Sequence, residues 1–273
     1  MAPPEAGPVA GSSPVRWDAL SWRQIADLRA AGMDLVILPV GATEQHGPHL
    51  PTGVDTISAQ AVADGVSART GIPVLPAIAY GCSLGHSRTW PGTLSLRPET
   101  LARMVFEIAD WVQGSGFRRM LLLNGHVTNW APLRCALETI RVDLPDMRIA
   151  LRNVWEASPE VTRLYEYDGG RNWHANDAET SLMLHLHPDL VDMAQAPDEP
   201  DRSACCFFSY TVDKESRSGV VGLPSKADPA FGRRVLETCV DALSGQLLAA
   251  LKEGTPLEDW AAPAGAPAPS RPL

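Results

Sequence analysis

Residues 34–41 read DLVILPVG, a continuous apolar run with the length of one β-strand. A strand without polar alternation is typical of a parallel sheet that is covered on both faces. A second run, RRMLLLNG, occupies residues 118–125, and MRIALRNVW, residues 147–155, supplies a third. GIPVLPAIAYG, residues 71–81, is a further extended segment bounded by prolines. The sequence therefore predicts a central sheet of buried strands.

Segments with helical spacing of apolar residues lie between these runs. The clearest covers residues 98–113, where apolar side chains recur at intervals of three or four. Similar patterns predict four more helices, at residues 55–69, 130–142, 179–187 and 229–252. Strands that alternate with helices of ten or more residues indicate βαβ units. The predicted fold class is α/β, a sandwich around a mostly parallel sheet.

The length of 273 residues favours one substantial domain. Residues 1–15 and 261–273 are rich in Pro, Ala, Gly and Ser, a composition that buries little apolar surface. We therefore expect a single domain over residues 16–260 between two disordered tails.

Composition also excludes several classes of partner. The formal net charge is −9 and no Lys/Arg cluster is present, so nucleic acid is not an expected partner. No apolar stretch reaches the roughly 18 residues of a membrane span. The first residues lack the basic and apolar regions of a secretory signal. The sequence predicts a cytoplasmic protein.

Metal-ligating residue types follow two of the predicted strands. Residues 41–55, GATEQHGPHLPTGVD, bring Glu44 and His46 to one side of an extended segment and Asp55 to the start of a helix. His126 follows the second run. Ligands of open α/β sheets bind beyond the carboxyl ends of the strands. Carboxylate with imidazole suits Zn²⁺, Mn²⁺ or Fe²⁺. One such residue alone is an ordinary polar loop side chain, but four at two strand ends predict a metal site.

A third cluster, WHANDAETS, spans residues 173–181 and contains His174, Asp177 and Glu179. The residues alone leave two interpretations open. Asp177 and Glu179 either take part in the site, or they serve as an N-cap and a first-turn carboxylate of the next helix.

These motifs resemble a known family. LPVGATEQHGPHLPTGVD, residues 38–55, resembles the signature of the creatininase family. NGH at residues 124–126 is similar to the family's second motif, and HANDAETS at residues 174–181 to its third. Two further segments are similar to the family: YGCSLGHSRTWPGTLSL, residues 80–96, and SGVVGLPSKADPAFG, residues 218–232.

The resemblance covers most of residues 34–250 and implies a three-layer α/β/α sandwich, often assembled as a homo-hexamer. It also implies two divalent metal ions per subunit. Glu44, Asp55 and His126 would hold one ion, and His46 would hold the other together with Asp55 as a bridge. His174 matches the family histidine that gives or takes a proton beside the metals.

One departure concerns the second metal. Creatininase proper has a Glu two residues after the His of the second motif, whereas this chain reads NGHVTN and has Thr128 there. Threonine is a poor metal ligand, so either Glu179 completes the second metal's shell or that metal binds weakly, and we favour Glu179. Trp155 and Trp173 lie near the positions of the family's substrate-covering tryptophans, although large apolar residues are more often core.

The predicted function is a metal-dependent amidohydrolase that cleaves a C–N bond of a small cyclic or linear amide with a metal-activated water. The catalytic residues are predicted to be His174, Glu179 and Asp177, and the pocket residues Trp155, Trp173, Thr128 and His86. Three alternatives stay open: a hydrolase of a non-amide ring or carbonyl compound, a peptidase of a peptide-derived precursor, and a non-catalytic metal- or ligand-binding relative.

Overall fold

The computed structural model describes residues 13–86, 88–166, 173–203 and 205–256. Most of the predicted N-terminal tail, residues 1–12, and the whole predicted C-terminal tail, 261–273, lie outside the described residues. The domain boundaries therefore stay predictions. Val15 is described, and its backbone N–H donates to Ser67 Oγ over 2.9 Å.

In the part of the chain that the structure describes, three parallel strands form the sheet, in the order β1 (Leu35–Val40), β2 (Arg119–Asn124), β3 (Arg148–Asn153). All three predicted strands are confirmed. The predicted extended segment at 71–81 runs parallel to β1 but joins it only through isolated bridges, Val74 to Ile37 and Ile78 to Val40.

The described residues contain eight α-helices: α1 (Trp22–Ala30), α2 (Val54–Thr70), α3 (Pro98–Gly114), α4 (Trp130–Asp143), α5 (Pro159–Tyr165), α6 (Asp177–Leu186), α7 (Val212–Glu215) and α8 (Pro229–Ala250). The five predicted helices correspond to α2, α3, α4, α6 and α8. Helix α1 was not predicted because none of its residues is buried. In this described part of the chain, no helix has both the length and the apolar character to cross a bilayer.

Alternate side chains of the strands enter two separate cores. Leu35 and Ile37 of β1 pack with residues of α2 and α8 on one face of the sheet. Val36 and Leu38 pack with residues of α3 and α4 on the opposite face. Helices therefore cover both faces, as a continuous apolar strand requires. The predicted three-layer α/β/α sandwich is confirmed.

Candidate metal centre

The predicted metal ligands meet at the carboxyl ends of β1 and β2. Glu44 follows β1, His126 follows β2, and Asp55 is the second residue of α2. The start of α2 lies directly against the end of β2: a Cβ at Gly125 would be 2.4 Å from the Asp55 main-chain oxygen. Only glycine permits this approach, which brings Asp55 beside His126.

Glu44, Asp55 and His126 form the first group of ligand atoms. His126 Nε2 lies 3.2 Å from Glu44 Oε2, and His126 Nδ1 lies 3.3 Å from Asp55 Oδ2. All three residues are buried, and their ligand atoms lie within 4.8 Å of one another. One cation could therefore contact all three.

His46, His174 and Glu179 form a second group. His46 Nε2 lies 3.7 Å from Glu179 Oε1 and 3.4 Å from Asp55 Oδ1. The two carboxylate oxygens of Asp55 therefore face different histidines, one from each group. This is the position that a bridging carboxylate requires.

Helix α6 is capped by Asn176, whose side chain accepts a hydrogen bond from the Glu179 backbone over 3.0 Å. The alternative that Asp177 is the N-cap is wrong; Asp177 is the buried first residue of the helix. The Glu179 carboxylate accepts a bond from the Ala175 backbone over 2.6 Å, and Ala175 has a φ of +52°. Positive φ is uncommon outside glycine and clusters at functional sites.

His86 adds a third group with Glu44 and His174. Its Nε2 atom lies 3.3 Å from Glu44 Oε1, and His174 Nδ1 lies 3.8 Å from the same oxygen. His86, predicted as a pocket residue, therefore also contacts a predicted metal ligand directly.

The buried charged groups of the cluster shift one another's pKa values. Burial and the Glu44 charge raise the pKa of Asp55 to about 6. Burial alone would lower the pKa of His126, but Glu44 and Asp55 outweigh it and raise that pKa to about 9. Burial also opposes a charged His46, yet Asp55 and Glu179 raise its pKa well above the usual value. At neutral pH an incoming cation must displace these imidazole protons.

The donor set fits divalent cations. Buried polar atoms normally have hydrogen-bond partners. Among the described residues, the buried Glu44 Oε2, His46 Nε2 and Asp55 Oδ2 have no hydrogen-bond partner, although each faces a group of opposite charge at 3.2 to 3.4 Å. Three carboxylates with imidazoles suit Zn²⁺, Mn²⁺ or Fe²⁺.

A cavity of about 420 Å³ opens onto this cluster. Eight of the predicted site residues line it: Glu44, Asp55, His86, His126, Thr128, Trp173, His174 and Glu179. Trp155 packs edge-on against Trp173, with ring centroids 5.7 Å apart, and lines a smaller neighbouring cavity of about 180 Å³. Asp177 and the buried His46 are not among the lining residues.

Several residues of the site were not predicted. Phe207, Phe208 and Tyr210 line the cavity and are exposed, but they lie in an irregular segment without a catalytic residue type. Gln45 is buried behind His174, between two predicted ligands in sequence. Its place between Glu44 and His46 was the one available signal.

The sequence model of creatinine amidohydrolase, the creatininase family, matches residues 18–247. The chain belongs to the creatininase family. It is 33% identical over 242 residues to the creatinine amidohydrolase of Pseudomonas putida, covering 82% of this chain and 93% of that protein. The mycofactocin precursor peptide peptidase of Mycobacterium ulcerans is 31% identical, covering 76% and 81%. The 3-dehydro-scyllo-inosose hydrolase of Thermotoga maritima is 31% identical, covering 67% and 60%.

Solved creatininase structures match in three dimensions. A mutant creatininase of the Zn–Zn type superposes with a TM-score of 0.80 and 29% identity, over 89% of this chain and 100% of that one. A manganese creatininase matches with a TM-score of 0.78 and 30% identity, over 88% and 100%. The predicted creatininase-like fold is confirmed, and so is the prediction that the chain is a hydrolase.

Proposed function

We propose that this creatininase-family hydrolase is a metal-dependent amidohydrolase that cleaves a C–N bond of a small cyclic or linear amide. The observation that carries the proposal is the position of Asp55, whose two oxygens face His46 and His126 at 3.4 and 3.3 Å. A carboxylate between two groups of ligands could give one oxygen to each of two cations.

Glu44, Asp55 and His126 would hold one divalent ion, and His46, Asp55 and Glu179 the other. Such ions lower the pKa of bound water toward about 7 and polarise a carbonyl oxygen. A main-chain contact orients the His46 ring. Its Nδ1 atom lies 3.3 Å from the Glu44 main-chain oxygen, so that Nε2 faces Asp55 and Glu179. The Zn–Zn and manganese forms of the similar creatininases support zinc or manganese here.

His174 is placed to move a proton. Its Nε2 atom donates to the Gln45 main-chain oxygen over 2.8 Å, which leaves Nδ1 without a proton on the cavity side. Burial and the nearby His46 charge lower the pKa of His174 to about 4, so the ring is neutral at pH 7. A neutral Nδ1 can take a proton from the attacking water and deliver it to the leaving nitrogen. Asp177 has no role in this proposal.

The cavity supports a small neutral substrate. No Lys or Arg is among its described lining residues, so it offers no guanidinium or ammonium group to a substrate carboxylate. The 33% sequence identity to a creatinine amidohydrolase supports an amide as the substrate. Thr128, in place of the Glu of creatininase, argues against assuming creatinine itself. The similarity to 3-dehydro-scyllo-inosose hydrolase favours a carbonyl ring as the second candidate substrate, and similarity to the peptide peptidases favours a short peptide.

Metal removal and a substrate panel test the proposal. We expect chelator-treated protein to lose hydrolysis and to regain it with Zn²⁺ or Mn²⁺. The panel contains cyclic amides, formamides, short peptides and carbonyl rings. Turnover confined to cyclic amides and formamides supports the proposal. Turnover confined to carbonyl rings or to short peptides supports the corresponding alternative substrate instead. Undiminished turnover after metal removal contradicts a metal-dependent reaction on any of them.

We expect Glu179→Gln to reduce bound Zn²⁺ from two equivalents to one, because it removes the carboxylate charge beside His46. Thr128→Val should keep two equivalents, because the Thr128 hydroxyl contacts His126 and the Cys82 carbonyl and is no ligand in the proposal. Elemental analysis of dialysed protein checks both variants. The reverse pattern would show that residue 128 completes the second metal's shell.

A further inference from the structure

A buried carboxylate outside the metal centre organises the turn at residues 216–219. Glu199 accepts hydrogen bonds from both backbone N–H groups in the middle of this turn: Arg217 N lies 3.0 Å and Ser218 N 3.1 Å from Glu199 Oε2. The hydroxyls of Ser216 and Ser218 donate to the same carboxylate. Burial opposes its ionisation, but the bonds from Ser216 and Ser218 outweigh burial and lower the pKa of Glu199 to about 2.

The same carboxylate also holds the preceding segment. Arg202 Nη1 donates to Glu199 Oε1 over 3.0 Å, and the Glu199 backbone pairs with Gly222. The chain between Glu199 and turn 216–219 carries Phe207, Phe208 and Tyr210, which line the cavity. Glu199 therefore binds the chain on both sides of these three aromatic residues.

The turn at residues 216–219 packs against the side chain of Gln45. Gly219 has a φ of +84°, and a Cβ there would lie 2.0 Å from Gln45 Oε1, so only glycine fits this close packing. Gln45 Nε2 lies 3.2 Å from the Gly219 carbonyl oxygen, and Gln45 Oε1 accepts from the Gly47 backbone over 2.9 Å. The side-chain amide is thus fixed in orientation.

Gln45 sets the tautomers of two histidines, that of His86 through its side-chain amide and that of His174 through its main-chain oxygen. Gln45 Nε2 has two hydrogens and three close neighbours: Gly219 O at 3.2 Å, His86 Nδ1 at 3.3 Å and His174 Nε2 at 3.1 Å. Because His174 Nε2 carries the proton that it donates to the Gln45 main-chain oxygen, it cannot accept, and the two hydrogens go to Gly219 O and His86 Nδ1. Nδ1 of His86 is therefore the acceptor. His86 then carries its proton on Nε2 and donates to Glu44 Oε1 over 3.3 Å. The Gln45 main-chain oxygen holds the proton of His174 on Nε2.

We infer that Glu199 and Gln45 are positioning residues of the metal centre: Glu199 holds turn 216–219 against Gln45, and Gln45 orients His86 on Glu44 and His174 on the cavity. The inference rests on the proposed function, because Glu44 is a proposed metal ligand. Hydrogen-bond partners behind metal ligands typically change metal affinity by about 10- to 100-fold when they are removed.

Cobalt binding to the full-length, metal-stripped protein tests the inference. We expect Glu199→Gln and Gln45→Ala to weaken Co²⁺ binding about 10- to 100-fold in competition with a chelator, and to shift the visible cobalt absorption. Asp198→Asn is the matched control. This neighbouring exposed carboxylate accepts two bonds from Ser225 and none from turn 216–219, so its variant should bind Co²⁺ as wild type does.

The possible results separate the two proposals. Wild-type affinity and spectrum in folded Glu199→Gln and Gln45→Ala would overturn the inference alone. Failure of the wild-type protein to bind Co²⁺ would contradict the proposed function. In that case ¹H–¹⁵N correlation spectra of the histidine rings still decide: we expect an Nε2-protonated His86 in the metal-free protein and a tautomer mixture in Gln45→Ala. An unchanged His86 signal would overturn the inference.

Discussion

Asp55→Ala should abolish the binding of both metal ions and reduce hydrolysis to the level of metal-free protein. The substitution removes the one carboxylate that faces both histidines, with Oδ1 3.4 Å from His46 Nε2 and Oδ2 3.3 Å from His126 Nδ1. Each remaining group keeps a carboxylate, from Glu44 or Glu179, but the charge between the two cations is lost. The largest effect of any single substitution is therefore expected here.

Elemental analysis and thermal unfolding with and without Zn²⁺ measure the effect. A cation that binds only the folded state raises the unfolding temperature, so added Zn²⁺ should stabilise the wild-type protein and leave Asp55→Ala unchanged. Asp64→Ala is the control on the same helix, because Asp64 pairs with Arg16 at the surface. An Asp55→Ala protein that still binds two equivalents of Zn²⁺ would contradict the bridging position of Asp55.

The strands and the first metal group were predictable because their signals are local. The apolar run that follows Asp34 and ends before Gly41 is rich in Val, Ile and Leu and is too short for a typical buried helix, which favours a buried strand. Parallel strands then bring their carboxyl ends to one edge, where Glu44 and His126 meet. Sequence alone could therefore predict this contact across 82 positions, because the sheet supplies the missing geometry.

The cap of α6 and the helix α1 show where local signals fail. Asn176 and Asp177 are neighbours with almost equal N-cap preference, so their order in sequence does not decide between them. Helix α1 has no fully buried residue, and its nine residues carry only a short apolar stripe at Trp22, Ile25 and Leu28. Its beginning is set instead by a capping box between Ser21 and Gln24.

The contacts behind the metal centre could not be predicted from the sequence. Gln45 meets His174 and Gly219 across 129 and 174 positions, through irregular loops without periodicity. Glu199 resembles any acidic surface residue in the sequence, and only the folded turn at 216–219 surrounds it with donors. Residue types that bind metals can be recognised one by one, whereas residues that orient them are defined by their neighbours.

His174→Ala should keep both metal ions and lose about 10²- to 10⁴-fold in kcat, the usual contribution of a positioned proton donor or acceptor. In the proposed function Nε2 of this ring is bound to the Gln45 carbonyl, and Nδ1 faces the cavity 3.8 Å from Glu44 Oε1. Removing the ring takes away a proton carrier and no proposed ligand. Steady-state kinetics on an active panel substrate, together with elemental analysis, measure both quantities.

A rival role for His174 follows from its place in the second ligand group with His46 and Glu179. If His174 were a ligand, the alanine variant would lose one metal ion together with turnover. Added imidazole separates the roles further, because a free base can replace a proton carrier in the vacated space and restore part of kcat at full metal content. His187→Ala, at the exposed end of α6, is the control and should leave metal content and kcat unchanged. Undiminished kcat in His174→Ala would refute the proton-transfer role.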